Sequence, residues 1–201
     1  TYQEITTMAF WTSALSEPKR KHRFILRLPD LIVPNGPLEG QAFPEYLAKS
    51  VTKPSYTVGT TDHKFLGNTY YYPGAVTWND VTAVIVNSTS PDGNELLYQA
   101  LQQMGYLLPN IQEDIFANNL DPSTPNKAAA LNALGQVQFE ELSGTGGTLG
   151  TWKLQNAFIT NVTFGDLDYA GEELLDITIQ LRYDWATYDV GPATRALTNI
   201  R

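Results

Sequence analysis

The sequence predicts a mainly β protein, an antiparallel β-sandwich or barrel with one central α-helix. Its 201 residues are 42% apolar, which suits one domain with a sizeable core, and no apolar run reaches the roughly 18 residues that span a bilayer. Six or seven runs of β-branched and aromatic residues are separated by glycine and proline, and helices do not alternate with them. We therefore expect a single domain over residues 1–201 that does not enter a membrane.

The first half of the chain contains a long predicted hairpin. Residues 22–28 predict a first strand, since apolar and polar side chains alternate there. Residues 46–58 and 63–72 are rich in tyrosine and β-branched residues but contain proline and glycine, which favours a twisted hairpin at a sheet edge. The whole hairpin is expected over 46–74, and it requires cover from another surface because a sheet edge leaves backbone groups unpaired.

A fourth predicted strand is irregular, whereas the last strand is not. In residues 75–87 the alternation slips around Asn79 and Asp80, which indicates a bulge or burial on both faces. The last strand alternates without a miss from residue 175 to 185. Its apolar members are Leu175, Ile177, Ile179, Leu181, Tyr183 and Trp185. We expect this apolar set to face the core, because exposing it would cost several kcal/mol at about 25 cal/mol per Å².

One long helix is predicted over residues 93–104. Asp92 is placed to cap it, Glu95 follows three residues later as in a capping box, and Gly105 is placed to end it. Its predicted apolar face consists of Leu97, Leu101 and Met104.

The region after this helix is predicted to be an irregular insertion over residues 109–134. Within it, residues 109–126 are predicted to form a connection, and a short helix can follow through 127–134. Two further strands are predicted over 136–142 and 151–164, joined by a glycine-rich loop.

The sequence offers little support for an enzyme, a cofactor or a metal site. There is no cysteine, and His22 and His63 stand in no spacing typical of a nucleophile or a metal ligand. The glycines of 144–150 precede a strand instead of a helix, so they indicate a hairpin loop and not a phosphate loop. Asp166 and Asp168 lack the closing glutamate of a calcium loop. We expect a protein that is not an enzyme and has no cofactor.

The charge distribution argues against tight binding of nucleic acid. The chain carries a net charge of −8, and the run Lys19-Arg20-Lys21 is its main basic feature. We interpret this run as a solvated approach to the first strand. The N-terminal residues show no basic-then-apolar signal, so we expect a cytoplasmic origin.

Five segments share an order and spacing that no enzyme motif explains. They are Ser50-Val51-Thr52-Lys53-Pro54 before a hairpin, Tyr72-Pro73-Gly74 after a tyrosine-rich strand, a strand with Trp152, Leu154, Asn156, Ala157 and Ile159, then Gly165-Asp166-Leu167-Asp168-Tyr169, and the closing Tyr183-Asp184-Trp185. Together they resemble the tail tube proteins of contractile-tailed bacteriophages, the T4-type family with relatives in contractile injection systems. The resemblance covers about residues 22–188, and it is lost in the extension 1–21 and in the insertion 109–134.

The resemblance implies a structural subunit of a tail tube. In that family six subunits form a ring, their strands join in a shared inner β-barrel, and stacked rings enclose a channel through which DNA passes. The implied partners are further copies of this chain, a tail sheath protein, a baseplate tube initiator and a tail terminator. The implied location is the tail tube of the virion, assembled in the host cytoplasm.

Two sets of residues follow as candidate sites. The hairpin is expected to contact a neighbouring subunit through Lys53, Pro54, Tyr56, Tyr70 and Tyr72. The polar face of the last strand is expected to line the channel if that strand belongs to the inner barrel, with Arg182 neutralised by an aspartate. This face consists of Asp176, Thr178, Gln180, Arg182 and Asp184. If the strand lies in an outer sheet instead, the same face meets bulk water or the sheath.

Other functions fit parts of the sequence. A baseplate tube initiator or a tail terminator would have the same fold and would stack on one face only. A carbohydrate-binding β-sandwich would use the tyrosines as a sugar platform. A glycosidase would need two converging carboxylates, but adjacent residues on a strand, as in Glu140-Glu141 or Glu172-Glu173, point to opposite faces.

Overall fold

The computed structural model describes residues 18–32, 40–106 and 125–192. The strands are β1 Phe24–Arg27, β2 Ala48–Val51, β3 Tyr56–Phe65, β4 Asn68–Trp78, β5 Val81–Val86, β6 Gln138–Leu142, β7 Thr148–Gln155, β8 Phe158–Thr163, β9 Asp176–Arg182 and β10 Trp185–Val190. The helices are α1 Gly93–Gln103, α2 Lys127–Leu134 and a 3-10 turn at Glu45–Leu47. Most of the predicted extension 1–21 and of the connection 109–126 lies outside the described residues. Among the described helices, none has the length and apolar character needed to cross a membrane.

Eight of the strands form two four-stranded antiparallel sheets. Sheet I has the order β1-β6-β7-β10 and sheet II has the order β2-β5-β9-β8, while in the part of the chain that the structure describes β3 and β4 pair only with each other. One apolar cluster contains side chains from both sheets, including Leu26 and Leu154 of sheet I and Ile85 and Ile177 of sheet II. Leu96 of α1 belongs to the same cluster. The predicted antiparallel β fold is therefore confirmed.

Strands β5 and β9 form the centre of sheet II. Val81, Ala83 and Ile85 are fully buried and pair in register with Leu181, Ile179 and Ile177. Each fully buried valine, leucine or isoleucine among them contributes about 1.5 to 3 kcal/mol, so these cross-strand pairs fix the register of the sheet. The predicted alternation of the last strand holds from residue 177 to 183. It fails at Trp185, which begins β10 and is 48% exposed.

The long helix forms where it is predicted, but its buried face is rotated. The Asp92 side chain accepts a hydrogen bond from the Asn94 backbone N–H at 2.9 Å, which caps the first turn. Leu96 and Ala100 are buried, whereas Leu101, predicted to be buried, is 37% exposed. Leu97 and Met104 are buried as predicted. A period of 3.6 residues allows either stripe, and the small Ala100 side chain lets the helix approach the core closely.

The predicted hairpin has the wrong limits. Residues 48–51 form β2 and belong to sheet II, so the two arms of the hairpin are β3 and β4, and the hairpin spans 56–78 instead of 46–74. The slip at Asn79 and Asp80 marks the point where the chain leaves the hairpin and enters sheet II as β5. The register shift within the hairpin lies elsewhere, between Val58 and Thr60.

The predicted strand 151–164 is in fact two strands. A turn at Asn156, whose φ is +56°, separates β7 from β8 and sends the chain from sheet I to sheet II. The glycine-rich loop before β7 is a hairpin turn as predicted, closed by the Gly147 N–H donating to Ser143 Oγ at 3.0 Å. Residues 127–134, predicted as part of an irregular insertion with a possible short helix, form α2.

Candidate assembly surfaces

The hairpin of β3 and β4 stands clear of the body of the protein, and we call it the ribbon. All ten residues of β3 and ten of the 11 in β4 are exposed, Trp78 being half-buried. At about 3.4 Å per residue such a ribbon is about 30 Å long. Among the described residues, no core covers either face of the ribbon as it would cover an ordinary strand. Isolated two-stranded hairpins are only marginally stable in water, so the ribbon gains from cover by another surface.

The ribbon is fixed to the body at one end. The Asn79 backbone N–H donates to the Ser55 carbonyl at 2.9 Å, and the Asn79 side chain donates to Ser55 Oγ at 3.0 Å. Just beyond them, Tyr56 packs edge-to-face on Trp78 with ring centroids 5.4 Å apart. Trp78 also contacts the buried Tyr183, with centroids 5.9 Å apart. These contacts form the root of the ribbon.

Tyrosines occupy both faces of the ribbon. Cross-strand partners share a face, and Tyr70 lies opposite His63 while Tyr72 lies opposite Thr61. Tyr71 lies on the other face, opposite Asp62. The three tyrosines are between 48% and 73% exposed. Large exposed apolar groups clustered in this way mark sites of protein–protein contact.

The predicted contact residues divide into two groups. Tyr56, Tyr70 and Tyr72 lie on the ribbon, where Tyr56 is 60% exposed despite its contact with Trp78. Lys53 and Pro54 precede the ribbon instead. Lys53 forms an ion pair with Glu141 of its own chain, and Pro54 is half-buried. Their contact with a neighbouring subunit stays a prediction.

The second predicted set lies on the outer face of sheet II. Asp176, Thr178, Gln180 and Arg182 alternate with the buried residues of β9 and therefore share the face opposite the core. Arg182 forms an ion pair with Asp80 at the end of this face.

Asp184 does not share this face, since it lies in the turn between β9 and β10. There its carboxylate accepts hydrogen bonds from Lys127 Nζ at 2.7 Å and from Asn156 Nδ2 at 2.6 Å. These bonds, chiefly the one from Lys127, hold the pKa of Asp184 below its ordinary value. Asp184 therefore links α2 to the turns at the ends of β7 and β9.

Sequence reasoning missed a basic cleft between β2 and sheet I, with a volume of about 620 Å³. Its basic lining residues are Lys19, Arg20, Lys21, Arg23, Lys49 and Lys53, and its acidic ones are Glu140 and Glu141. The sequence by itself indicates only a solvated approach to a strand at residues 19–21, because it is the tertiary fold that brings Lys49 and Lys53 beside them. We call this the basic cleft.

Glu141 anchors the basic cleft. Its side chain is 12% exposed and forms ion pairs with both Lys19 and Lys53, while Lys19 also donates to the Tyr188 hydroxyl at 3.1 Å. Burial works to raise the pKa of Glu141, but the hydrogen bonds from the two lysines outweigh burial and lower it. The same hydrogen bond, which Lys19 donates to the Glu141 carboxylate, raises the pKa of Lys19 against the opposing effect of burial. The group at Glu141 therefore stays ionised at neutral pH.

No family model and no curated protein matches this chain in sequence. Similar folds do occur among solved structures. A chain of the PVC sheath–tube complex of an extracellular contractile injection system, in the extended state, is 17% identical with a TM-score of 0.59, and the match covers 92% of this chain and 99% of that one.

Two further structures show the same likeness. A chain of the PVC sheath/tube terminator in the extended state is 17% identical with a TM-score of 0.56, over 88% of this chain and 100% of that one. A chain of the tube-terminating cap of the anti-feeding prophage is 17% identical with a TM-score of 0.54, over 94% of this chain and 99% of that one.

The described residues thus define a class of β protein, two antiparallel sheets around one core with a ribbon that leaves the body. More particularly, the chain has the tube-type fold of contractile injection systems. The resemblance to contractile tail tube proteins seen in the sequence is confirmed at the level of the fold.

Proposed function

We propose that this chain is a structural subunit of a contractile tail tube and that it assembles with copies of itself into stacked hexameric rings. The ribbon carries this proposal. It exposes tyrosines on both faces, and the described part of its own chain provides no cover for them. A neighbouring copy can supply that cover, and a head-to-tail contact closes into a ring when the rotation allows it. The fold shared with a chain of a sheath–tube complex supports the same function.

Sheet II is the sheet that we assign to the inner barrel of the ring. Its four strands alternate in direction, and within the described residues its two edges are β2 and β8. Because β2 and β8 run in opposite directions, β8 of one copy can pair with β2 of the next and continue an antiparallel ladder around the ring. Each copy would then satisfy the unpaired backbone groups of its neighbour.

In this arrangement the outer face of sheet II lines the channel. Asp176, Thr178, Gln180 and Arg182 would face the lumen. Asp176 is paired with Lys49 and Arg182 with Asp80, so this polar wall carries no net positive charge to which DNA would adhere. The tail sheath, a tube initiator and a terminator would complete the tail of the virion, with assembly in the host cytoplasm. The role is structural and not enzymatic.

A terminator or cap role is the second candidate. It is favoured by the similarity to chains of a sheath/tube terminator and of a tube-terminating cap. A terminator would form single rings that stack on one face only, whereas a tube subunit would form long filaments. Electron microscopy of the purified protein separates the two.

Negative-stain imaging of three forms of the protein tests the proposal. The unaltered chain and a Tyr46→Asp control, whose tyrosine is 75% exposed on the body, should form six-fold rings and tubes. The double variant Tyr70→Asp with Tyr72→Asp should fold but fail to assemble, because two new charges would be buried in the contact. A chain that stays monomeric at high micromolar concentration, or a double variant that assembles normally, would contradict the proposal.

The position of sheet II is tested by cysteine labelling. The chain contains no cysteine, so Gln180→Cys provides a single thiol without background. A reagent too bulky to enter the bore should label the free subunit quickly and assembled tubes slowly. Rapid labelling of intact tubes would place this face on the outside.

A further inference from the structure

The basic cleft has the chemistry of a site for an acidic and apolar segment. Its lining contains six basic and two acidic residues, which gives a formal charge of +4 in a chain whose net charge is −8. Glu140 also forms an ion pair with Arg27 of β1, in which its Oε1 lies 2.9 Å from the guanidinium Nε. The remaining lining includes apolar side chains. These are Phe24, Val51, Phe139, Leu142 and Trp152.

The loop between β8 and β9 has the complementary chemistry, and we call residues 164–174 the acidic loop. It contains four carboxylates and no lysine or arginine, so its formal charge is −4. Every one of its residues is exposed. Its apolar members include Leu167, which is 88% exposed, Leu174, which is 70% exposed, and Tyr169, whose side chain is fully exposed. Four carboxylates and exposed apolar side chains in one segment favour a partner that is both basic and apolar.

The topology of sheet II places the acidic loop and the basic cleft at opposite edges of that sheet. The acidic loop leaves the sheet from β8, and the basic cleft is lined by residues that border β2 on the other edge. One copy of the chain therefore presents the loop on one side and the cleft on the other. That arrangement suits a head-to-tail contact between identical subunits.

Both features also lie near the same end of the strands. Thr163, the last residue of β8, pairs with Thr178 near the start of β9, and Asp176 at that start forms an ion pair with Lys49 of β2. When β8 of one copy lies beside β2 of the next, as in the proposed ring, the chain leaving Thr163 emerges beside the neighbour's Lys49. The loop then starts at the mouth of the neighbour's basic cleft.

We propose that the acidic loop of each subunit docks into the basic cleft of the adjacent copy within the ring. This inference rests on the ring arrangement proposed above. The carboxylates of the loop pair with the lysines of the cleft, and Leu167, Tyr169 and Leu174 cover its apolar residues. Glu141 has a positioning role, since it holds Lys19 and Lys53 at the walls of the cleft while the loop approaches.

Zero-length cross-linking with a carbodiimide tests this contact, because the reagent joins a carboxylate to a lysine amine only when the two touch. Rings are assembled from an equal mixture of ¹⁴N- and ¹⁵N-labelled protein and digested after cross-linking. Mixed-isotope peptides should join residues 166–173 to Lys21, Lys49 or Lys53. Rings that form but yield these peptides only with both halves from one copy would overturn the docking proposal. Absence of rings would instead contradict the proposed function, so the two failures are distinguishable.

Charge reversal provides a second test. Glu172→Lys with Glu173→Lys should raise the concentration at which rings dissociate by about tenfold or more, and Lys21→Glu with Lys49→Glu should do the same. Combining all four changes should recover part of the loss, because opposite charges face each other across the contact again, while the acidic side chain introduced at position 49 still lies beside Asp176 of its own chain. The matched control Glu172→Asp with Glu173→Asp keeps the charge and should assemble normally. Circular dichroism of each free subunit separates a lost contact from a lost fold.

Two results of the charge-reversal test would count against the docking contact. One is that the reversed variants assemble as the unaltered chain does. The other is that Lys21→Glu with Lys49→Glu leaves the rings unchanged but abolishes binding of a labelled DNA oligonucleotide, which would make the basic cleft a nucleic-acid site.

Discussion

At Glu141 a single carboxylate ties together three separate parts of the chain. It lies in β6 and holds Lys19, which precedes β1, and Lys53, which follows β2. Its pKa is lowered in the folded protein, so the folded state binds a proton there less readily than the unfolded chain does. The stability that it contributes is fully present above the unfolded pKa, and it is lost as the pH falls through the folded pKa.

Replacing Glu141 with Gln should therefore destabilise the protein in a pH-dependent way. We expect the free energy of unfolding to fall by about 1 to 2 kcal/mol at pH 7, a value reduced because the two lysines are at least half exposed. The difference from the unaltered chain should shrink as the pH falls below about 4.5. Urea unfolding at several pH values measures it, with Glu173→Gln in the exposed loop as the control. A difference that stays constant between pH 7 and pH 3 would contradict this account.

Gly191 is a second residue with a specific role. A Cβ at this position would lie 2.1 Å from the Thr148 carbonyl oxygen, and its own N–H donates to the Leu149 carbonyl at 2.8 Å. Both contacts are with the backbone of β7, which cannot yield without breaking the ladder. Gly191→Ala should lower the free energy of unfolding by about 1 to 3 kcal/mol. Gly171→Ala, which meets only one atom at 3.8 Å, should change it little, and equal effects of the two substitutions in thermal melts would exclude this explanation.

At the scale of elements, local signals predicted α1 and β9 but not the path of the chain between sheets. Asp92 and Gly105 flank α1, and the alternation in β9 reflects burial of one face only, so both can be seen in a single stretch of sequence. The chain passes from β4 to β5 through Asn79-Asp80 with no glycine or proline to mark the change. A predicted strand over 75–87 therefore merged two elements that belong to different sheets.

The candidate sites differ in the same way: two of them can be seen in a single stretch of sequence, and the third depends on the tertiary fold. The exposed tyrosines of the ribbon and the polar face of β9 follow from composition and period, and both could be predicted. The basic cleft could not, because Lys19 and Glu141 are 122 residues apart and meet only when β6 pairs beside β1. Burial of an ion-pair cluster depends on such long-range pairing, which no local pattern records.

The ribbon should behave differently in the free and assembled protein. It packs mainly against itself, so its order in the free subunit depends on one two-stranded ladder. We expect the amides of residues 56–78 to exchange with solvent quickly in the free subunit and slowly in tubes, whereas those of β5 and β9 are slow in both. Hydrogen exchange followed by mass spectrometry measures this. Strong and equal protection of the ribbon in both states would show that it needs no neighbour.

At the scale of the whole molecule, the ribbon can be removed without disturbing the body. Its two ends meet at the root, where Tyr56 and Trp78 are cross-strand partners and Asn79 is hydrogen bonded to Ser55. Deleting residues 57–77 and joining Tyr56 to Trp78 through an Asn-Gly turn should give a folded monomer. We expect its thermal melting to stay cooperative and its sedimentation to show no rings at any salt concentration. Rings formed by the shortened chain would exclude the ribbon as the main contact.

The aromatic contacts at the root allow the fluorescence of Trp78 to report the position of the ribbon relative to the body. Trp78 touches Tyr56 at the foot of the ribbon and Tyr183 in the core, whereas Trp152 packs against Tyr188 in sheet I. Any swing of the ribbon relative to the body changes the surroundings of the Trp78 indole and its distance from the Tyr183 ring, whereas Tyr56 moves together with Trp78. The wavelength of its emission and the energy that it receives from tyrosine therefore follow the angle of the ribbon. The chain has four tryptophans, so Trp11→Phe, Trp152→Phe and Trp185→Phe together leave Trp78 as the sole source of indole emission. Subunit docking of that variant can then be timed in a stopped-flow fluorimeter without attaching a dye.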